Sequence, residues 1–154
     1  MIKILFVCHG NICRSPMAEF VMKDMAAKAG LADKLTIASA ATSTEEIGNP
    51  VHPGTRNKLR SVGISTEGKY ARQMTRRDYA EYDYLIGMDG WNIRNMQRMT
   101  GGDPEHKICR LLDFSAQPRD IADPWYTGNF EETYSDIIEG CTAFLAKLRE
   151  EYGL

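Results

Sequence analysis

The sequence predicts an α/β fold, a parallel sheet with helices on both faces, and three observations carry this expectation. Short apolar runs with little polar alternation, such as Ile2 to Val7, suit strands covered on both faces. Segments with apolar residues at helical spacing alternate with those runs. Glycine and proline punctuate the joins, so the order reads β-α-β-α. Right-handed crossovers in such an order put helices on both sheet faces and ligands outside the carboxyl ends of the strands.

The elements follow in order. Ile2 to Val7 is a central strand. Ser15-Pro16 then supplies an N-cap and a proline at the first helical position, and Met17, Phe20, Val21, Met25 and Ala29 are spaced as one helix face, closed by Gly30. Leu35 to Ala38 is a second strand, and Ala41 to Pro53, rich in turn residues, is a long surface loop of the kind that carries specificity. Pro53 to Val62 is helical, stopped at Gly63. Tyr82 to Met88 is a third strand and Gly90 to Met99 a helix ended by Gly101-Gly102. Ile108 to Leu112 is the last strand and Asp113 to Gly128 a loop. Asn129 to Glu132 opens a final helix with Ile137, Ile138, Cys141, Phe144, Leu145 and Leu148 turned inward. No repeat or low-complexity linker interrupts the chain.

At 154 residues the chain fits one domain spanning 1-154. A hydrophobic share of 43% and a charged share of 26% are ordinary for a soluble protein. A net charge of -2 gives no general attraction to nucleic acid, while leaving room for a local basic pocket. The apolar run at the N-terminus is too brief for a signal-peptide core or a membrane span, so a cytoplasmic protein with no membrane partner is expected. Cys8, Cys13, Cys109 and Cys141 lack paired zinc-site spacing, and His9, His52 and His106 are scattered. No metal or other cofactor is therefore expected, and the thiols are expected to be reduced.

The chemistry concentrates in Val7 to Pro16, where a strand runs through a tight loop into a helix. Backbone N–H groups turned inward and the positive end of the helix make a cradle for a dianion. The readings from residue type are that Gly10 gives the loop its backbone freedom and Arg14 grips two oxygens through its planar fork. At the floor of that cradle, the helix dipole and the Arg14 charge favour Cys8 as a thiolate, able to attack phosphorus and form a phosphocysteine without a metal. Ser15 has two competing uses, as helix cap and as hydroxyl donor to the Cys8 sulfur. Cys13 also has two: a small packing residue, or the thiol that traps an oxidised Cys8 as a disulfide. Cys109 and Cys141 read as core residues.

Val7 to Glu19 agrees throughout with the pattern V-C-x-G-N-I-C-R-S-P-x-A-E, and the chain thereby resembles the low-molecular-weight protein tyrosine phosphatases. The likeness continues through Ser39 to Ala41, Ala71 to Gln73 before a helix, Asp83-Tyr84 and Met88-Asp89. It implies a four-stranded, Rossmann-like parallel sheet and hydrolysis of phosphotyrosine, with His9, Gly10, Asn11, Ile12 and Cys13 around the phosphate. By itself Asp123-Pro124 is a turn opener. The resemblance makes Asp123 the general acid and base, ahead of Asp120, and makes Trp125 and Tyr126 the aromatic wall of the cleft. Partners implied are phosphotyrosine proteins, such as a tyrosine kinase or its substrates, with inorganic phosphate as product. Some positions depart from the pattern. His9 stands where leucine or threonine is common, Glu45, with Glu46 beside it, where an aromatic is common, and Lys69 where histidine is common.

Two related activities compete with this reading. Thiol-dependent arsenate reductases use a similar loop but need a redox cysteine pair after the third strand, and Tyr82 to Gly102 contains no cysteine. Protein-arginine phosphatases have a small polar residue in the place of Ile12, whose apolar side chain suits a phenyl ring better than a guanidinium.

Overall fold

The structure, a computed structural model, describes residues 1–154. Strands β1 (Ile2–Cys8), β2 (Leu35–Ala41), β3 (Tyr84–Gly87) and β4 (Ile108–Arg110) form one sheet in the order β2-β1-β3-β4. All three pairings are parallel. The helices are α1 (Arg14–Lys28), α2 (Pro53–Ser61), α3 (Arg76–Glu81), α4 (Gly90–Thr100), α5 (Pro124–Thr127) and α6 (Phe130–Tyr152). No helix is long and apolar enough to cross a membrane.

Strand alternation divides the core into two layers. Ile4, Phe6 and Cys8 of β1 face the larger layer, with Met17 and Val21 of α1, Leu59 of α2, and Ile137, Cys141, Phe144 and Leu148 of α6. Leu5 and Val7 face the smaller layer, with Met74, Tyr79 of α3 and Met96 of α4. Because both faces are covered, β1 needs no polar alternation, which is why its sequence is an almost unbroken apolar run. Each fully buried side chain of this size stabilises the fold by about 1.5–3 kcal/mol.

Several boundaries move from their predicted places, each for a tertiary reason. β1 extends to Cys8 and β2 to Ala41 because Cys8 pairs with Ala41 in the parallel ladder, a register that the weak strand propensity of Ser39 to Ala41 does not announce. β3 begins only at Tyr84, because Tyr82 is still tied to the end of α3 through Asp78 O. β4 ends at Arg110: the Asp113 carboxylate accepts from the Arg110 backbone N–H at 2.8 Å and tightens Leu111–Phe114 into a 3-10 turn. The predicted loop from Asp113 contains α5, one short turn capped by Asp123. Ile138 and Leu145 are only partly buried, at the margin of the larger layer.

The strand order places the connection from β1 to β2 on one side and β3 on the other. The crevice at the carboxyl end of β1 is the site where this architecture receives a ligand. The loop from Cys8 to Arg14 opens there.

Candidate active site

The loop is clamped from outside by the segment that follows β2. Thr42 N donates to Cys8 O, Ser43 N to His9 O, and His52 N to Ile12 O, at 2.9 to 3.1 Å. Inside the loop Asn11, not Gly10, takes the left-handed conformation, with φ 59°. Asparagine tolerates this region better than other side chains do. The prediction that Gly10 supplies the conformational freedom is therefore corrected. A Cβ at Gly10 would lie 3.3 Å from Glu46 Cγ, so glycine is suited to that position by the close approach of Glu46.

Asn11 is almost wholly buried and braces the loop. Its amide donates to Ser15 Oγ at 2.7 Å and Ser39 Oγ at 2.9 Å, and its Oδ1 accepts from Arg72 N at 3.2 Å. Ser39 in turn donates to the buried carboxylate of Glu19. Lys69, in the place where histidine is common, closes the brace by donating to Ser39 O at 2.9 Å, with Glu19 3.5 Å away. Burial pushes the Lys69 ammonium pKa down, against the pull of Glu19.

The predicted cap of α1 is also corrected. The helix starts at Arg14 with Cys13 as N-cap and no side-chain cap bond, so Pro16 is its third residue. Proline costs nothing there, because the first four N–H groups of a helix have no partner within it. Freed from capping, Ser15 serves the sulfur: Ser15 Oγ lies 3.0 Å from Cys8 Sγ, and Ser15 N donates to the same sulfur at 3.4 Å. Since Oγ already accepts from Asn11, its one proton is left to donate, and Cys8 Sγ at 3.0 Å is a nearer acceptor than Ala40 O at 3.4 Å.

Arg14 is 2% exposed and bonded on several sides. Nη1 donates to Asp89 Oδ2 at 2.7 Å and to Ile121 O at 2.8 Å, and Nη2 lies 3.5 Å from Asp123 Oδ2. Burial works against its charge, but Cys8 and Asp89 outweigh it and the guanidinium pKa rises. Asp89 also caps α4 through Asn92 N at 2.8 Å. In the sequence Asp89 stands out only in Met88-Asp89, one of the stretches that carry the family likeness, just past the predicted third strand. A carboxylate at the carboxyl end of β3, next to the crevice, was the available signal. Replacing Asp89 with alanine is expected to destabilise the fold by about 3 kcal/mol in chemical denaturation, the low end for a broken buried pair, because Ile121 O and Asp123 still face Arg14.

Asp123 caps α5 by accepting from Trp125 N at 3.1 Å. Trp125 and Tyr126 are exposed. The Trp125 ring meets His52 edge-on at 5.8 Å, and His52 stacks on Phe130 at 5.2 Å. His52, one of three scattered histidines in the sequence, thus props the aromatic wall. That stack requires a glycine at 54, where a Cβ would fall 2.3 Å from the Phe130 ring.

One cleft is lined by Cys8, His9, Gly10, Ile12, Cys13, Arg14, Asp123, Trp125 and Tyr126, joined by Glu45 and Glu46. Of the nominated residues only Asn11 and Ser15 are absent from it; they lie beneath. Asp120 is engaged elsewhere, accepting from Gly90 N and Arg110. Burial, followed by the charges of Cys8 and Asp123, pushes the Cys13 thiol up to about 12. A larger hollow beside α2, with Arg56, Arg60 and Tyr70 in its wall, contains none of the nominated residues.

Comparison with known proteins completes the description. The family model for low molecular weight phosphotyrosine protein phosphatase matches residues 3–153. The chain is similar to the low molecular weight protein-tyrosine-phosphatase YfkJ of Bacillus subtilis, with 47% identity over 98% of both chains. It is also similar to the low molecular weight phosphotyrosine protein phosphatase of Rattus norvegicus, with 40% identity over 94% of both. The crystal structure of YfkJ superposes with a TM-score of 0.94 over 98% of this chain and 96% of that one. A Drosophila arginine phosphatase superposes with a TM-score of 0.88 at 27% identity, covering 96% of this chain and 98% of its own.

Proposed function

The chain belongs to the low molecular weight phosphotyrosine protein phosphatase family and is a protein tyrosine phosphatase, and from that premise we propose how its residues divide the reaction. Backbone N–H groups of the loop and the Arg14 guanidinium hold the phosphate oxygens, and the Cys8 thiolate attacks phosphorus from below. The sulfur–phosphorus bond forms as the bond to the tyrosine oxygen breaks, and Asp123 passes its proton to that oxygen. In the second step Asp123 takes a proton from water, the water oxygen attacks phosphorus, and Cys8 leaves as thiolate with Ser15 Oγ donating to it. Inorganic phosphate is released.

The observation that carries this reading is the sulfur itself. Cys8 Sγ is held by a hydroxyl at 3.0 Å and a helix amide at 3.4 Å, with Arg14 and Asp123 in the same cleft. Cys13, whose thiol burial pushes up to about 12, does not compete as nucleophile; it packs with Ile12 and Ala71, and the same burial counts against its use as the thiol that traps an oxidised Cys8. The reading treats residues 1-154 as one catalytic domain.

Ile12 supports the choice of phosphotyrosine over phosphoarginine, since it offers an apolar surface in the cleft. Arsenate reduction is disfavoured because Cys141 is buried in the core layer, Cys109, half-buried, packs at its margin instead of inside it as expected, and neither lines the cleft. Phosphotyrosine proteins are the substrates, a tyrosine kinase or its targets among them. A cytoplasmic setting fits an enzyme whose four cysteines are all free and whose nucleophile must stay reduced. The test is a metal-free assay of matched phosphotyrosine and phosphoarginine peptides. Phosphotyrosine is expected to be turned over at least about 100-fold faster in kcat/KM, the scale on which a mismatched polar group is rejected. Equal turnover of the two would overturn the role given to Ile12.

A further inference from the structure

The mouth of the cleft carries charge of the wrong sign for its substrate. Glu45 and Glu46 line the opening through which a phosphate dianion must pass. Glu45 is 67% exposed in its side chain and is held by His9 Nε2, which donates to Glu45 Oε2 at 2.7 Å. Glu46 lies over Gly10, where any larger residue would crowd it, and is fixed by Asn49, whose amide donates to Glu46 Oε2. Arg14, the one arginine or lysine in the cleft lining, lies deep and is committed to Asp89 and Asp123. His9 is committed to Glu45, and Arg98 lines a separate hollow beyond His9.

The rest of the rim is aromatic. Trp125 is 57% and Tyr126 84% exposed, and Trp125 is oriented from behind by His52. A cleft with positioned carboxylates and two open aromatic faces matches a cation that arrives with the phosphate. A guanidinium satisfies both features, donating a bidentate pair of hydrogen bonds to a carboxylate and stacking on a ring, whereas an ammonium does both less well.

We infer that this rim selects phosphotyrosine flanked by a basic residue, arginine ahead of lysine, with Glu45 and Glu46 as the specificity-determining residues and Trp125 and Tyr126 as the stacking surface. The inference rests on the reading of the Cys8 loop as the phosphotyrosine site. It adds a substrate class: tyrosines phosphorylated within basic sequence.

The experiment measures kcat/KM for four phosphotyrosine peptides that differ only in flanking residues, Arg, Lys, Ala or Asp. It compares the parent protein with Glu45→Gln, Glu46→Gln and the double variant, at low and at high salt. The Arg peptide is expected to exceed the Asp peptide by about tenfold at low ionic strength, as two partly exposed charge pairs allow, with Lys between Arg and Ala. The ratio should fall to within about twofold in the double variant and in high salt, where exposed charges are screened. A merely structural role for the glutamates would lower all four values together and leave the ratio unmoved. p-Nitrophenyl phosphate, which has no flanking residue, separates the two failures. Its turnover together with equal values for all four peptides overturns the rim selection alone. Absence of turnover on every substrate by the parent protein overturns the catalytic reading beneath it.

Discussion

Replacing Cys8 with serine is expected to reduce hydrolysis of phosphotyrosine peptides and p-nitrophenyl phosphate to background, while inorganic phosphate still binds. A serine hydroxyl is not ionised at neutral pH, and the structure offers it no base. The neighbour of this atom is Ser15 Oγ, 3.0 Å away and itself a hydroxyl. Asp123 lies across the cleft against Arg14. The binding elements are the loop backbone and Arg14, and neither depends on the sulfur for its position: Arg14 is anchored by Asp89 and Ile121 O. Steady-state turnover and calorimetric titration with phosphate check the two halves separately. Turnover by Cys8→Ser at more than a few percent of the parent rate would remove Cys8 from the role of nucleophile.

The second large effect belongs to Asp123. The alanine variant would lose both the acid and the cap of α5, because Asp123 also accepts from Trp125 N. Asp123→Asn is the cleaner test, since asparagine caps as well as aspartate but cannot give up or take a proton in this way. It is expected to lower kcat by about 10²- to 10⁴-fold on phosphotyrosine, the usual scale of general acid catalysis. The deficit should shrink markedly for p-nitrophenyl phosphate, whose leaving group departs without help. A loss of the same size for both leaving groups would show that Asp123 acts through Arg14 or the aromatic wall instead of through proton transfer.

Much of the site was legible in the sequence because its central device is local. Cys8, the backbone of residues 9–13 and Arg14 follow one another along the chain, so strand, loop and helix dipole can be read from neighbours alone. The same holds for the strands: the apolar run of β1 reports burial on both faces without reference to any partner. Legibility failed where two local readings used the same group. Ser15 had the composition of a cap, and only the position of the sulfur decided against it. Gly10 had the composition of the flexible residue, while the left-handed turn went to Asn11 because its amide reaches Ser15, Ser39 and Arg72 at once.

By itself, the sequence determined the alternation of strands and helices and the strand-loop-helix that holds Cys8 and Arg14, and, through likeness to a family, it nominated Asp123 as the candidate distant acid. Tertiary structure alone decided what surrounds Arg14. Asp89 and Asp123 lie 75 and 109 residues from it in the chain, and parallel crossovers bring them to one crevice. It also decided that His52 supports Trp125 and that Glu45 and Glu46 stand at the mouth of the cleft. Periodicity records which side of a segment is buried, but no local pattern records which distant side chain arrives there. That information resides in strand order and register, set by how the apolar faces close over one another.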